Sequence, residues 1–379
     1  MSQKRHILFL FSDTGGGHRS AAEAIIEALQ LEFGETVSTE MVDIFKEHTP
    51  GPLNRLPQWY PYMVKAPHLW GASFHISDGR AQARAITSTL WPAVSRIARR
   101  IVNSHPSDII VTVHPLANSF ILKALGKHRP PFVTVVTDMV TTHALWFDQR
   151  ADLICVPTEI ARFRAIEYNM EPEKVVTVGQ PIAARYCVPA GDKNALREKL
   201  GWPVDKFIAV LVGGGEGMGP LAQTARAINE SGLDLGLVIV AGRNERLKKS
   251  LENIDWRIPA KIYGFTRDMP DFMRAAESLI TKAGPGTIAE ALNAHLPIIL
   301  YAKLPGQEDG NVTYVRETGT GVWAPTPQRV LATLNTWIEN PEAREKVIRA
   351  CQKAARPDSS RTIARLIGEQ LGLKPASDS

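Results

Sequence analysis

The chain has 379 residues, of which 44% are hydrophobic and 22% are charged, and its formal net charge is +5. This length is too great for one ordinary core and predicts a globular protein of two domains. The mild basic excess suits an anionic surface or a phosphorylated ligand, but no dense basic stripe is present, which argues against a nucleic-acid partner. No apolar run approaches the ~20 residues that a transmembrane helix needs. The three scattered cysteines form no metal or disulfide pattern and favour a reducing compartment.

Apolar runs typical of buried strands alternate with helical patterns along most of the chain. This alternation predicts an α/β protein with parallel sheets that are covered on both faces. The predicted strands are 6–11, 108–113, 131–137 and 152–156 in the first half and 207–212, 235–241, 261–263, 278–281 and 297–301 in the second.

Each half begins with a strand, a glycine-rich loop and a helix. The first example is "ILFLFSDTGGGH" and the second is "FIAVLVGGGEGMGP", at 207–220. We therefore expect two Rossmann-like domains that face each other across a cleft, with a boundary near Pro181 and Pro189. The predicted domains are residues 1–182 and 183–350. Residues 351–379 are predicted to form a helical tail, broken at Pro357, that packs back on the first domain.

The segment 50–79 departs from this rhythm, since it carries five prolines and a cluster of aromatic residues with interleaved basic side chains. Long loops inside a compact domain are usually functional or disordered. Tryptophan and tyrosine beside basic residues suit a membrane interface. Equally, the segment could be a proline-rich lid whose aromatic residues pack on their own domain. The aromatic residues are Trp59, Tyr60, Tyr62, Trp70 and Phe74.

The second glycine-rich loop, 213–219, follows a strand and precedes a helix. Such a loop presents backbone N–H groups and the positive end of a helix to an anion, typically a phosphate. It lacks the Gly-Lys-Ser/Thr of a Walker A loop and the regular G-x-G-x-x-G spacing of a dinucleotide site. A glycine turn shaped only by packing remains the alternative.

Two later loops carry polar residues at the ends of strands. In "TKAGPGTIAEAL", 281–292, we expect a helix that begins near Thr287 and holds Glu290 in its first turn. A carboxylate there can accept both hydroxyls of a ribose, although a first-turn glutamate is also favoured by the helix dipole alone. The loop "LPGQEDGN", 304–311, is rich in side chains that suit a sugar, but such clusters also form ordinary solvated turns.

No two aspartates stand in a D-x-D pattern anywhere in the chain. We therefore expect no metal ion and no cofactor. Backbone amides, a helix end and basic side chains would have to neutralise a leaving diphosphate.

Taken in order, these loops resemble those of the monogalactosyldiacylglycerol synthase family, a relative of the enzyme that adds N-acetylglucosamine to lipid I. The resemblance covers nearly the whole chain. Its motifs are "SDTGGGHRSAAEAI", "YPYMVKAPHLW", "VHPLANS", "VVTDMVTTHALWF", "VGQPI", "GGGEGMG", "YGFTRDM", "TKAGPGTIAEAL" and "PGQEDGNV". It implies a GT-B fold and an inverting transfer of a hexose from a UDP-sugar to diacylglycerol, with galactose as the first choice and glucose as the second.

The resemblance also implies roles for individual residues. His18 would be the base that takes the proton of the acceptor hydroxyl, and a histidine of near-neutral pKa suits that role. Glu290 would hold the ribose, while Phe265 and Thr266 would border uracil. The remaining UDP-sugar residues would be Gly214, Gly215, Gly217, Gly284, Gly286, Thr287, Gln307, Glu308 and Asn311. The acceptor side would comprise Gly16, Gly17, Asp138, His143 and Trp146.

Two other functions stay open from the sequence. One is an N-acetylglucosaminyltransferase that acts on a polyprenyl-linked peptidoglycan precursor. The other is a catalytically silent regulator that binds lipid or nucleotide, against which the presence of both His18 and Glu290 argues. For the leading function we expect a cytoplasmic protein that associates peripherally with an anionic membrane surface. Arg96, Arg99 and Arg100, on nearby turns of a predicted helix, support this expectation, although they also suit a solvated helix face.

Overall fold

The computed structural model describes residues 4–13, 16–46, 67–189, 191–215, 217 and 219–375. The chain divides into two compact units. The first comprises Met1–Ala184, Pro305–Gln307 and Asp358–Ser379, and the second comprises Arg185–Leu304 and Glu308–Pro357.

The described residues form twelve strands and fourteen α-helices. The strands are β1 Arg5–Phe11, β2 Val37–Asp43, β3 Ile109–Thr112, β4 Phe132–Val135, β5 Leu153–Val156, β6 Val175–Thr177, β7 Phe207–Val212, β8 Leu235–Val240, β9 Ala260–Tyr263, β10 Ser278–Lys282, β11 Ile298–Ala302 and β12 Gly321–Trp323. The helices are α1 Gly17–Phe33, α2 Pro67–Ser77, α3 Arg80–Ser104, α4 Pro115–Leu125, α5 Glu159–Glu167, α6 Lys193–Leu200, α7 Leu221–Glu230, α8 Glu245–Glu252, α9 Met269–Ala275, α10 Pro285–Asn293, α11 Asp309–Glu317, α12 Pro327–Glu339, α13 Pro341–Ala354 and α14 Ser359–Gln370.

The first unit is built on a parallel sheet of order β2-β1-β3-β4-β5-β6. Successive side chains of a strand point to opposite faces, and β1 shows the consequence. Ile7 and Phe9 pack in one core cluster that includes residues of α1 and α14. Leu8 and Leu10 pack in a second cluster with residues of α3 and α4. Because both faces are covered, β1 is apolar along most of its length, as the sequence predicts.

The second unit repeats this plan with a parallel sheet of order β12-β11-β10-β7-β8-β9. Ala209 and Leu211 of β7 pack in a core cluster with residues of α7 and α12. The predicted strand, glycine loop and helix occur in both units, as β1 and α1 in the first and as β7 and α7 in the second.

All nine predicted strands are present, with ends that differ by up to two residues from the predicted ones. Three strands, β2, β6 and β12, are not among the predictions. Strand β2 reads "VSTEMVD" and lies at the edge of its sheet. Polar residues break its apolar run, so the continuous apolar pattern used to find buried strands does not detect it.

The C-terminal helix α14 belongs to the first unit, which confirms the expectation that it packs on the N-terminal domain. The Glu32 carboxylate at the end of α1 accepts hydrogen bonds from Arg361 and Arg365 of α14. At Gly368 a Cβ would lie 2.1 Å from Phe33 Cζ, so the close approach of the two helices requires glycine. Among the helices of the described residues, none is long and apolar enough to cross a bilayer.

The segment 50–79 is only partly described. Trp59, Tyr60 and Tyr62 lie outside the described residues. Helix α2 places Phe74 in the interior of the first unit, 8% exposed, with its ring 5.1 Å from that of His143. For Phe74 the packing alternative is therefore correct.

Candidate active site

His18 lies in the first turn of α1, the helix that follows β1 in the chain. Gly16 precedes the helix with φ 80°, a left-handed conformation that a side chain would disfavour. Gly17 opens the helix and is exposed, and no atom of the described residues lies within 4 Å of the position that its Cβ would occupy. Gly16 therefore turns the chain sharply, and Gly17 adds no side chain beside His18.

The imidazole of His18 is enclosed by three side chains of the first unit. Its Nδ1 lies 3.0 Å from Thr137 Oγ1. The His114 ring packs edge-on with its centroid 4.7 Å away, and the Trp146 ring lies at 6.1 Å. Removal from water lowers the pKa of His18 to about 4, against the opposing effect of a backbone hydrogen bond with Val113. The ring is therefore neutral at pH 7 and can accept a proton. Its pKa lies well below the near-neutral value expected from the sequence, so that expectation is wrong and the unliganded ring is a weaker base than predicted.

Asp138 and Trp146, both predicted for the acceptor side, form a hydrogen-bonded pair. The Trp146 indole, which is fully buried, donates from Nε1 to Asp138 Oδ2 at 2.6 Å. Gln307 Nε2 donates to the other carboxylate oxygen at 3.1 Å. Gln307 is thus a member of the first unit and contacts an acceptor-side residue, whereas the sequence assigned it to the UDP-sugar. Its contact with the donor stays a prediction.

His143 is held by partners on both ring nitrogens. Nδ1 accepts from the backbone N–H of Leu145 at 3.1 Å, so the neutral ring carries its proton on Nε2, which lies 3.0 Å from Ser77 Oγ. Burial lowers the pKa of His143. These bonds connect α2 to the turn that carries Trp146. The contact of His143 with the acceptor stays a prediction.

The glycine-rich loop after β7 packs against the loop after β8. Gly214 and Gly217 have φ 70° and 61°. A Cβ on Gly242 would lie 2.4 Å from the Gly215 carbonyl oxygen, so the two backbones touch there. Arg243 N–H donates to the same oxygen at 2.8 Å. These contacts fix the backbone at Gly215 ahead of α7, and the binding of a phosphate at this loop stays a prediction.

Lys282, at the end of β10, is a basic residue that the sequence reasoning did not single out. A Cβ on Gly214 would lie 3.3 Å from Lys282 Cε, and one on Gly284 would lie 3.1 Å from its Nζ. The side chain therefore runs between the two glycine loops of the second unit. Its ammonium forms an ion pair with the buried carboxylate of Glu308, which also accepts from the backbone N–H of Leu304 at 2.8 Å.

Glu290 lies in the second turn of α10, because the helix begins at Pro285 and not near Thr287. The expected first-turn position is therefore wrong, and so is the helix-dipole explanation of this glutamate. Burial raises the pKa of Glu290 to about 7, while a hydrogen bond from Tyr186 and the charge of Arg185 oppose the rise. Tyr186 is itself buried, which raises the pKa of its hydroxyl. The sequence offered no signal for Tyr186.

The first turn of α10 carries small residues, and the loop before it is held by a hydrogen bond from α11. Gly284 is the N-cap, and Gly286 and Thr287 lie in the first turn. Across the part of the chain that the structure describes, no atom lies within 4 Å of the position that a Cβ on Gly286 would occupy. Asn311 Nδ2 donates to the Ala283 carbonyl at 2.8 Å and ties α11 to this loop. Its Oδ1 is buried with no hydrogen-bond partner among the described residues, which leaves one acceptor available at this end of the helix.

Phe265 and Thr266 follow β9, and their side chains differ in exposure and in hydrogen bonding. The Phe265 ring is 60% exposed, and the Arg243 guanidinium carbon lies 4.7 Å from its centroid. Thr266 Oγ1 donates to Asp268 and accepts from its N–H, both at 3.0 Å, at the start of α9. Phe265 therefore presents a free aromatic face, whereas the hydroxyl of Thr266 supports the turn.

Within each unit the structure gathers most of the predicted residues at one end of the sheet. The first unit brings His18, Asp138 and Trp146 together, and it adds Thr137 and His114. The second unit joins the loops of Gly214, Gly284 and Glu308 through Lys282. In the part of the chain that the structure describes, no group of three or more His, Cys, Asp or Glu residues could hold a metal ion.

Comparisons with known proteins identify the family. Residues 18–182 match the family model for monogalactosyldiacylglycerol synthase, and residues 208–359 match that for the glycosyltransferase family 28 C-terminal domain. The chain is 37% identical over 383 residues to monogalactosyldiacylglycerol synthase of Spinacia oleracea, covering 98% of this chain and 73% of that protein. It is 36% identical over 377 residues to monogalactosyldiacylglycerol synthase 2 of Arabidopsis thaliana, covering 96% and 81%.

Solved structures support the same fold. The MurG protein of Acinetobacter baumannii matches with a TM-score of 0.60 at 16% identity, over 96% of this chain and 99% of that one. The UDP-GlcNAc 2-epimerase of Neisseria meningitidis, solved with UDP-GlcNAc, matches with a TM-score of 0.61 at 14% identity, over 97% and 99%. With its two parallel α/β units, this chain is a GT-B glycosyltransferase and belongs to the monogalactosyldiacylglycerol synthase family.

Proposed function

We propose that this protein transfers galactose from UDP-galactose to the free hydroxyl of diacylglycerol with inversion, which yields a β-galactosyl lipid. Glucose is the alternative sugar. The relatives' names, which contain galactose and diacylglycerol, support the transferred sugar and the acceptor. The observation that carries the mechanism is the neutral His18 ring, held against Thr137 beside a glycine turn.

In this mechanism His18 takes the proton of the lipid hydroxyl while the oxygen attacks the anomeric carbon. The carbon–oxygen bond to UDP breaks on the opposite face, which inverts the configuration. A positioned base of this kind contributes about 10²- to 10⁴-fold to the rate. Gly16 and Gly17 would border the acceptor, and the buried pair of Asp138 and Trp146 would support the acceptor side from beside the His18 ring.

The second unit would hold the donor. Backbone N–H groups at Gly214 and Gly215 and the open start of α10 would face the diphosphate. Gly217, whose own N–H donates to the Gly214 carbonyl at 3.1 Å, would lie beside it. The Lys282 ammonium would add a full positive charge where the leaving group becomes more negative. Glu290 would accept the ribose hydroxyls, and the free face of Phe265 would stack on uracil. We propose that these groups replace a metal ion and that the reaction needs no cofactor.

The direct test is a product assay with diacylglycerol and, separately, UDP-galactose, UDP-glucose and UDP-N-acetylglucosamine. Mass spectrometry of the lipid identifies the sugar, and the anomeric proton coupling in NMR gives the configuration. We expect β-galactosyldiacylglycerol from the first donor. A glucosyl product alone would change the sugar, an N-acetylglucosaminyl product would favour the peptidoglycan-type alternative, and no lipid product from any donor would defeat the proposal.

We further propose that the protein docks peripherally on the cytoplasmic face of an anionic membrane. Helix α2 exposes Leu69 and Ile76 by 73% and 76%, and α3 exposes Arg96, Arg99 and Arg100. Apolar and basic side chains together suit binding in the plane of such a surface. We expect co-sedimentation with liposomes that contain anionic lipid and little with neutral liposomes; binding that ignores lipid charge would contradict the proposal.

Replacing Lys282 with methionine is expected to weaken UDP binding at least tenfold while uridine binding changes little. The reason is that only the diphosphate would contact the ammonium, and a charge-assisted hydrogen bond contributes roughly 1.5–3 kcal/mol. Isothermal titration with both ligands measures the difference. Equal losses for UDP and uridine would show that Lys282 acts on the loop and not on the phosphates.

A control separates this effect from misfolding. The single change leaves the buried Glu308 carboxylate without its ion-pair partner, which destabilises a fold. In the double variant Lys282→Met with Glu308→Gln, both charges are removed. We expect the double variant to regain thermal stability but not UDP affinity.

A further inference from the structure

Thr137 holds a fixed position next to the proposed base. It lies just beyond β4, is 4% exposed, and its carbonyl accepts a hydrogen bond from Gln180 Nε2 at 3.0 Å. Gln180 is held in turn, since its backbone carbonyl accepts a hydrogen bond from Ser359 Oγ at 2.7 Å. The threonine therefore has little freedom, and its hydroxyl lies 3.0 Å from His18 Nδ1.

The second neighbour of the imidazole, His114, is also held in one state. Its Nδ1 accepts from the backbone N–H of Leu116 at 3.3 Å, at the start of α4, so the neutral ring carries its proton on Nε2. The His114 ring meets the His18 ring edge-on at 4.7 Å. In that edge-on arrangement the His114 ring limits rotation of the His18 ring. It offers no acceptor to the Nδ1 of His18, because the Nδ1 of His114 already accepts from the backbone N–H of Leu116.

The protonation site of His18 decides whether it can act as a base. If the ring proton sits on Nδ1, then Nε2 has a free lone pair for the lipid hydroxyl; if it sits on Nε2, that nitrogen cannot accept. Which nitrogen is protonated is set by the hydrogen bond at the other one. Two groups beside the ring can take a ring proton: the Thr137 hydroxyl oxygen, 3.0 Å from Nδ1, and the backbone of Val113, with which the ring also forms a hydrogen bond. Of the two side-chain neighbours, only the Thr137 hydroxyl lies where it can accept from Nδ1.

We infer that Thr137 is the positioning residue of His18: its hydroxyl oxygen accepts the Nδ1–H bond, fixes the ring and keeps the Nε2 lone pair available for the acceptor alcohol. The inference rests on the proposed function for its catalytic consequence. In the step itself the alcohol proton passes to Nε2, the new bond forms between the alcohol oxygen and the anomeric carbon, and the electron pair of the broken bond leaves with UDP. The Nδ1 proton stays on the ring throughout.

The first test is spectroscopic and needs no substrate. In protein labelled with ¹⁵N-histidine, assigned through His18→Gln, the nitrogen shifts report which ring nitrogen carries the proton. We expect the Nδ1–H form in the wild type and in Thr137→Ser, which keeps the hydroxyl, and a mixture of both forms in Thr137→Val, which removes it. An Nε2–H form in the wild type, or an unchanged form in Thr137→Val, would overturn the inference.

The second test is kinetic. We expect Thr137→Val to lower kcat about 10- to 100-fold with little change in KM for the UDP-sugar, and Thr137→Ser to recover most of the loss. Full activity in Thr137→Val would contradict the inference. The two tests also distinguish two failures: if the wild type makes no glycolipid but the nitrogen shifts behave as expected, the proposed function is wrong and the role of Thr137 in orienting His18 stands.

Discussion

Replacing His18 with alanine is expected to lower sugar transfer to diacylglycerol by about 10²- to 10⁴-fold, the range for loss of a general base. UDP affinity should be unchanged, because the residues proposed to bind UDP belong to the second unit. Initial rates with saturating donor, together with titration of UDP, measure the two quantities on the same preparation.

The control for this prediction is His128→Ala, which removes an exposed histidine of the same unit. We expect wild-type rates from it. Retained turnover in His18→Ala would remove His18 as the base. A parallel loss of UDP binding in His18→Ala would instead indicate a general disruption, since α1 contributes Ile25 and Leu29 to the core of the first sheet.

UDP-galactose is expected to bind more tightly as the pH rises from 6 to 8. Burial raises the pKa of Glu290 to about 7, and only the ionised carboxylate can accept hydrogen bonds from both ribose hydroxyls. With that pKa the ionised fraction rises from roughly 0.1 to 0.9 over this range, so we expect an affinity gain of about ninefold. Calorimetry without the lipid acceptor measures it, and the diphosphate diester of the sugar nucleotide does not titrate in this window.

Two variants test the cause of that pH dependence. Glu290→Gln should bind weakly at every pH and show no slope. Tyr186→Phe removes a hydrogen bond that lowers the pKa of Glu290, so the transition should move to higher pH. A flat profile in the wild type, or a slope that survives in Glu290→Gln, would show that this carboxyl does not bind the ribose.

The sign of the stability effect at Glu290 follows from the same shift. Its pKa in the folded protein lies above the ordinary value of 4.5. The favourable contribution of the protonated form is therefore complete below pH 4.5 and is lost as the pH rises through about 7. As the pH rises towards 7, ligand binding should therefore become tighter while the unliganded protein becomes less stable. Both effects are expected of a buried carboxyl group whose hydrogen-bond donors come from the ligand.

The two α/β units and the order of their loops could be predicted from the sequence, because they depend on local patterns of apolar residues and glycines. An apolar run such as 6–11 or 207–212 is sufficient to predict a buried strand, and the glycines that follow it are sufficient to predict a tight turn. Strand β2 shows the limit, since an edge strand with polar residues has no such pattern. The helix that carries Glu290 began two residues earlier than expected, since Pro285 suits a first helical position.

The side chains that contact the motif residues could be identified only from the tertiary structure. Thr137 stands 119 positions from His18, Tyr186 lies far from Glu290 in the sequence of the same unit, and Lys282 meets Gly214 across neighbouring strands β10 and β7. Each of these partners is an ordinary residue in its own segment. Parallel strands place their carboxyl ends at one edge of the sheet. This convergence of distant segments, which no local sequence pattern predicts, brings the Thr137 hydroxyl to His18, the Tyr186 phenol to Glu290 and the Lys282 ammonium to the glycine loop after β7.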